Sequence, residues 1–128
     1  MAKVDVNVND AVELEVLEAG EYQLRCTGAE EKVSQAGNGY LNLRFEAIDE
    51  PAAEDIYHIL MLPGGDDPKV DNKRKLALIK ACKALDVDYS NGINTDDFPG
   101  QSCWAILGVE GDEEYGDKNR VKSFVTGA

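Results

Sequence analysis

The fold of this chain is decided by the stretch Gln101-Ser-Cys-Trp-Ala-Ile-Leu-Gly-Val-Glu110, which is followed by Gly-Asp-Glu-Glu-Tyr-Gly-Asp117 and then by Lys-Asn-Arg-Val-Lys-Ser-Phe124. The first and third pieces carry apolar side chains at alternating positions, which is typical of strands. The middle piece is acidic and rich in turn-forming residues. The sequence therefore predicts a strand, a loop and a second strand that form a hairpin.

Three further strands are predicted upstream of this hairpin. Residues 21–27 and 40–48 alternate between apolar and polar side chains, as half-buried strands do. The turn between them, residues 33–39, contains Gly and Asn residues that tolerate a positive φ. Residues 55–62 are apolar nearly throughout, so they predict a strand whose facing stays ambiguous. In the second strand the residues expected to face inward are Leu41, Leu43, Phe45 and Ala47.

A helix is predicted over residues 71–87, between the third and fourth strands. Asp71 or Asn72 is expected to cap its first turn. Three strands, one helix and two strands is the element order of a five-stranded OB barrel, a fold that often binds single-stranded nucleic acid. We therefore predict a mainly β protein in which residues 20–128 form an OB-type barrel. The apolar stripe expected to close one end of that barrel is Leu78, Ala81, Cys82 and Leu85.

Residues 1–19 are predicted to form an acidic N-terminal arm or edge strand. Apolar side chains alternate in two short pieces, residues 4–8 and 12–16, with asparagines and acids between them. Such a segment pairs either with the body of its own chain or with a second copy, which would produce a homodimer. The sequence leaves these two possibilities open.

Composition indicates one soluble globular domain. The chain has 128 residues, of which 43% are hydrophobic and 30% are charged. It contains no apolar run of the roughly 20 residues that a membrane span needs. The beginning of the sequence lacks the apolar core of a signal peptide, so we expect a cytoplasmic protein. Cys26, Cys82 and Cys103 are widely spaced in apolar surroundings, which favours buried reduced thiols.

The net charge of −12 argues against simple electrostatic attraction to phosphate. The charges are, however, unevenly distributed. Acidic residues dominate residues 1–21 and 86–117, whereas basic residues cluster at residues 69–83 and 118–122. We therefore expect a local basic groove on an acidic body, with modest and salt-sensitive affinity for nucleic acid.

The first candidate site is the outward face of the second strand, with Tyr40, Asn42 and Arg44. Tyrosine offers a flat surface for base stacking, and arginine supplies positive charge or stacking. The alternative is an ordinary solvent-exposed strand face.

The second candidate is the last strand, where Lys118, Arg120 and Lys122 alternate along the chain. Cations at alternate positions can follow the phosphates of an extended strand. Arg120 and Lys122 are expected to share one strand face with Phe124. The alternative is that these cations balance the charge of the acidic loop at residues 112–117.

Further aromatic and basic residues are weaker candidates. Trp104, Tyr57, His58 and Tyr115 could stack on bases, although a tryptophan flanked by apolar residues more often belongs to a core. The helix cations, among them Lys73 and Lys80, could extend a basic patch or simply form a solvated helix face.

Metal binding and catalysis have little support in the sequence. The acidic loop at residues 111–117 does not match the calcium-loop spacing, and the chain has a single histidine. It contains no nucleophile elbow, P-loop or dinucleotide fingerprint. We therefore predict a non-enzymatic protein without a metal or another cofactor.

Four motifs resemble a family of small bacteriophage proteins that are described as single-stranded DNA-binding proteins or left uncharacterised. The motifs are Gly20-Glu-Tyr-Gln-Leu-Arg25, Gly37-Asn-Gly-Tyr-Leu-Asn-Leu-Arg-Phe-Glu46, Gly100-Gln-Ser-Cys-Trp-Ala105 and Glu114-Tyr-Gly-Asp-Lys-Asn-Arg-Val-Lys122. The resemblance implies an OB-type barrel that coats single-stranded DNA in phage replication or recombination, without strong sequence preference. Within the motifs it implies contacts by Tyr40, Asn42, Arg44, Trp104, Lys118, Asn119, Arg120 and Lys122.

Two functions follow as expectations. The first is single-stranded DNA binding in the cytoplasm of a bacterial host, with phage or host replication proteins as further partners. The second is an acidic protein-interaction module, in which the carboxylates imitate DNA and occupy the basic cleft of another protein. The sequence does not decide between DNA and RNA, and it does not give the size of the binding site.

Overall fold

The computed structural model describes residues 2–111, 113 and 116–126 of the chain, so the candidate Tyr115 lies outside the described residues. Its elements in chain order are β1 (Gly20–Val33), β2 (Gly39–Ala47), β3 (Ile56–Met61), α1 (Pro68–Leu85), a 3-10 turn (Thr95–Asp97), β4 (Ser102–Glu110) and β5 (Lys118–Val125). The five strands form one antiparallel sheet with the order β3-β2-β1-β4-β5. The predicted mainly β fold, with a helix between the third and fourth strands, is confirmed.

The core lies on the inner face of the curved sheet. Successive side chains of a strand point to opposite faces, so the alternating apolar residues reach the same side. In β3, whose facing the sequence left ambiguous, Ile56 and Leu60 are buried while Tyr57 and Ile59 are exposed. The helix contributes the predicted stripe of Leu78, Ala81, Cys82 and Leu85. Residues without appreciable exposure include Leu24, Leu43, Phe45, Ile56, Leu85, Phe98 and Leu107.

A bulge lets β1 run further than its alternating pattern indicates. The pattern predicts that the strand ends at Thr27, but β1 continues to Val33. The register against β2 shifts between Cys26 and Gly28, which inserts Thr27 as an extra residue. Because a bulge changes the phase of the alternation, the second half of β1 does not continue the pattern of the first half.

A second register shift corrects the predicted facing of β5. Phe124 was expected to share a face with Arg120 and Lys122, but it is buried and both cations are exposed. The pairing of β4 with β5 shifts between Ile106 and Leu107. The extra residue on β5 is Lys122, and it turns Phe124 inward alongside Val121.

The helix begins earlier than predicted and uses a different cap. Asp67 is the N-cap, and its side chain accepts a hydrogen bond from Lys69 N at 2.9 Å. Pro68 occupies the first turn, where its missing N–H costs nothing. The expected caps Asp71 and Asn72 lie inside the helix, and Asp71 Oδ1 instead accepts from Gly64 N and Gly65 N at 3.1 Å each. No helix in the described part of the chain has the length and apolar character that a bilayer crossing requires.

The sheet is open. Its edge strands are β3 and β5, and no ladder of backbone hydrogen bonds joins them in the residues that the structure describes. We call the line between these two edges the seam. Side chains pack across it, because the rings of His58 and Phe124 meet edge to face with centroids 5.2 Å apart.

The arm crosses the seam near the start of β5. Glu15 N donates to Ala52 O at 2.6 Å, and Glu54 N donates to Glu15 O at 3.2 Å. Two residues further on, Leu17 packs against the core and bonds to the side chain of Asn119. Residues 15–17 therefore pair with the body of their own chain, while residues 2–14 are exposed. A homodimer remains a prediction.

Candidate nucleic-acid interface

Four of the candidate residues lie in one outward-facing surface on β2 and β3. Residues directly opposite each other in adjacent strands share a face, so the register brings Arg44 beside Tyr57 and Asn42 beside Ile59. Tyr40 is opposite Met61 in the same way. Tyr57 is 44% exposed, and Ile59 is also exposed. The surface therefore combines a cation, an amide and tyrosine rings with apolar side chains.

Arg44 is held in place by β1. Its Nε donates to Thr27 Oγ1 at 3.0 Å, and Thr27 Oγ1 donates to Arg44 O at 3.3 Å. The guanidinium lies over Gly28, where an added Cβ would come within 3.5 Å of Nη2. No carboxylate in the described part of the chain forms an ion pair with Arg44. The bulge at Thr27 thus orients a cation whose charge is not offset by direct contact.

A cleft joins this surface to the beginning of β5. It has a volume of about 240 Å³ and is lined by Leu14, Glu54, Asp55, Tyr57, Lys118, Asn119 and Arg120. Tyr57 is therefore shared between the β2–β3 surface and the cations of β5. Arg120 Nε contacts Glu110 Oε2 at 3.0 Å, an exposed ion pair that reduces but does not cancel its local charge.

Asn119 differs from the other nominated residues because it faces inward. It is 7% exposed, and its Oδ1 accepts a hydrogen bond from Leu17 N at 2.9 Å. Its Nδ2 donates to Leu17 O at 2.9 Å and to Gly108 O at 3.3 Å. The amide thus holds the arm to β5, and it does not join the outward surface.

Trp104 lies on a different part of the outward face. It is 49% exposed, so the alternative that it belongs to the core is wrong. Its neighbours across the strands are Gln23 on β1 and Val125 on β5. Because β1 separates it from β2, Trp104 does not join the surface formed by Arg44 and Tyr57.

His58 is partly buried, and the three thiols are buried. Burial lowers the pKa of His58 below its usual value, so the imidazole is neutral at pH 7. Cys26, Cys82 and Cys103 are free and buried, as the sequence predicts. Burial, together with the neighbouring Cys26, raises the pKa of Cys103 to about 12. Within residues 2–111, 113 and 116–126 no group of three or more His, Cys, Asp or Glu side chains is arranged to hold a metal ion.

The helix cations, which the sequence leaves as either a basic patch or a solvated helix face, line two grooves. Lys73 and Arg74 line a groove between α1 and β3, and Lys80 lines a groove together with Lys122 of β5. Val70, Lys73, Ala77 and Lys80 follow the spacing of a single helix face. Ala77, an exposed small residue between the two lysines, lines both grooves.

Comparison with known families gives one result. The family described as "Protein of unknown function (DUF669)" matches residues 4–120. This range includes the arm beyond residue 3, all of β1 to β4 and the first part of β5. A search of curated proteins finds no significant match.

Proposed function

We propose that this chain, which belongs to the DUF669 family, is a non-enzymatic protein that binds single-stranded DNA with little sequence preference. The family description leaves the function open, so the proposal rests on the geometry of the surface and on the motif resemblance. The same resemblance suggests a role in phage DNA replication or recombination in the cytoplasm of a bacterial host. Phage or host replication proteins are the partners that such a role would require.

We further propose that the sheet is an OB-type barrel with an open seam. In a five-stranded OB barrel the third and fifth strands are neighbours, and here β3 and β5 are the two edges that face each other. The helix between the third and fourth strands supports the same assignment. In this interpretation side-chain contacts take the role of the missing ladder.

The observation that carries the proposal is the meeting of Arg44, Tyr57 and the β5 cations around the seam. These residues are far apart in the sequence, yet they meet in a protein with a net charge of −12, beside Glu54 and Asp55 of the same cleft. Cations kept together on so acidic a body favour a polyanionic ligand.

Each side chain has a distinct role in this proposal. Tyr57, and Tyr40 further along the same face, would stack on bases. Stacking tolerates different sequences because every base has a flat face. Arg44, Lys118 and Arg120 would neutralise phosphates, and Asn42 would donate hydrogen bonds. Trp104 and Lys122 lie outside this surface and would contact a longer strand.

Titration of a labelled oligo-dT by fluorescence anisotropy, at low and at moderate salt, tests the proposal. We expect binding at low salt that weakens as salt rises, since bound cations release counterions. Tyr57→Ala should weaken binding by roughly 1–3 kcal/mol, the usual contribution of one stacked base. Arg44→Ala should also lower the salt dependence.

Two variants serve as controls for this titration. Tyr89→Ala removes a similarly exposed tyrosine that lies away from the seam, and Lys83→Ala removes one exposed charge in the last turn of α1. Both should bind DNA as the unmodified protein does. Absence of binding at low salt would reject the proposal, and so would equal losses in Tyr57→Ala and Tyr89→Ala.

The second candidate function is the acidic protein-interaction module. It is favoured by the arm, where Asp5, Asp10 and Glu13 are all exposed outside any helix or strand. A stoichiometric basic protein captured from host lysate, combined with no affinity for oligonucleotides, would select this function instead.

A further inference from the structure

A groove continues along the seam beyond Tyr57, between β3, β5 and one face of α1. Its two parts have volumes of about 320 Å³ and about 200 Å³. Both parts are lined by His58, Leu60 and Ala77, so they form one continuous depression. The strand β3 therefore borders the Tyr57 cleft at one end and this groove at the other. We call it the helix groove.

Cations from two separate elements line the helix groove. Lys73 and Lys80 are two turns apart on α1 and belong to the same helix face. Lys122 of β5 also lines the groove, and the aliphatic part of its side chain lies over Gly108 of β4. Arg74 also lines the groove, but its Nη1 donates to Leu62 O at 3.2 Å and so helps to fix the turn before the helix. For Lys73, Lys80 and Lys122 no ion pair occurs among the residues that the structure describes.

The floor of the helix groove is apolar and uncharged. It includes Leu60, Ala77 and Phe124, and the imidazole of His58 is neutral because burial lowers its pKa. Sugars and bases fit such a floor, while phosphates prefer its basic rims. The unpaired edges of β3 and β5 add backbone N–H and C=O groups as further hydrogen-bonding partners.

We propose that the helix groove is the continuation of the single-strand path, with Lys73, Lys80 and Lys122 contacting phosphates that follow the Tyr57 cleft. This inference rests on the proposed function and adds a second binding segment to it. An extended polyanion is the occupant that matches cations spaced along the helix side of a long depression whose lining, among the described residues, contains no carboxylate. The protein would then bind long oligonucleotides more tightly than ones that fill the Tyr57 cleft alone.

Two oligo-dT lengths and two double variants test the helix groove. The oligonucleotides have about 5 and about 16 nucleotides, near the limits of site sizes known for one OB fold. The test variant is Lys73→Ala with Lys80→Ala. The control is Lys69→Ala with Lys83→Ala, which removes the same charge from the same helix at positions outside the groove.

We expect the affinity of the test variant for the long oligonucleotide to be roughly tenfold lower. The slope of log affinity against log salt concentration should fall in magnitude by about 1.4, which is about 0.7 for each lost phosphate contact. Its affinity for the short oligonucleotide should match that of the control. Lys122→Ala should give a smaller loss of the same kind. Thermal melting of each variant checks that the fold is retained.

The possible results separate this inference from the proposed function. If the unmodified protein binds and the two double variants have the same affinity for the long oligonucleotide, the helix groove is not part of the path, although the proposed function stands. If the unmodified protein binds neither oligonucleotide, the proposed function and the inference both fail. If only the test variant loses an acidic protein partner while DNA binding is unchanged, the groove serves that partner.

Discussion

The side-chain amide of Asn119 makes hydrogen bonds that the backbone of a neighbouring strand would otherwise make. This amide gives Leu17 an acceptor for N–H and a donor for C=O. The same amide also reaches Gly108 O. One side chain therefore connects the arm, β4 and β5, and it does so from a buried position where unsatisfied polar groups are costly.

Replacing Asn119 tests this structural role. Asn119→Ala removes the side-chain partner of two part-buried backbone groups of Leu17 and one hydrogen bond to Gly108 O, so we expect the free energy of unfolding to fall by roughly 1–3 kcal/mol. Urea denaturation followed by tryptophan fluorescence measures the change. Asn42→Ala is the matched control, because Asn42 lies on the outward face and should affect stability little. A loss of DNA affinity in Asn119→Ala without loss of stability would contradict this assignment.

The two asparagines also illustrate what the sequence could indicate. Alternation in residues 40–48 correctly predicts that Tyr40, Asn42 and Arg44 face outward. Asn119 is a candidate on sequence grounds because it stands between Lys118 and Arg120 in a motif. Its inward facing follows from the strand register, and its partner Leu17 is 102 residues away. A contact over that separation leaves no trace in local sequence.

Among the elements, the two bulged strands differ most from the prediction. Each bulge inserts one residue and reverses the faces that follow. Thr27 thereby becomes a support for Arg44, and Lys122 becomes an outward cation beside a buried Phe124. The alternation of apolar and polar residues predicts that these strands exist and in which order they follow, because the alternation is present on both sides of each bulge. The position of a bulge depends on pairing with another strand, so the alternation does not predict which face the residues after it occupy.

The helix cap gives a stability prediction. Asp67→Ala removes the acceptor of Lys69 N, so we expect the free energy of unfolding to fall by about 1 kcal/mol. Chemical denaturation monitored by circular dichroism measures it. Asn72→Ala replaces the cap that the sequence suggested, and it should leave stability nearly unchanged because Asn72 lies within the first turns of the helix. Equal effects of the two substitutions would show that Asp67 is not the cap.

Taken as one molecule, the protein separates its charges. Acidic side chains dominate the arm and the segment from residue 86 to residue 117, while cations of α1 and β5 meet along the seam. The sequence shows the two basic segments, one in α1 and one in β5. Their proximity depends on the curvature of the sheet that brings β3 and β5 together, and neither segment alone predicts that curvature.

The seam should make stability depend on pH through His58. Its pKa is below the usual 6.5 in the folded protein, so the unfolded chain binds a proton first as pH falls. Stability is therefore retained above about pH 6.5 and declines as the pH is lowered from there toward the folded pKa. Burial of the imidazole is the cause of the lowered pKa.

Urea denaturation between about pH 5 and about pH 8 measures this dependence. His58→Leu places an apolar side chain against Phe124 and removes the titrating ring. The free energy of unfolding of this variant should therefore vary less over the same pH interval. Identical pH profiles for His58→Leu and the unmodified protein would contradict the role of His58.

The missing ladder between β3 and β5 has a further consequence for access. None of the four hydrogen-bonded strand pairings includes this junction, so it is held by packed rings, by α1, which contacts both β3 and β5, and by the crossing at residues 15–17. The cleft and the helix groove beside it are open to the surface along their length. A single strand bound as we propose would therefore be taken up sideways, from the middle of its length, and would need no free end.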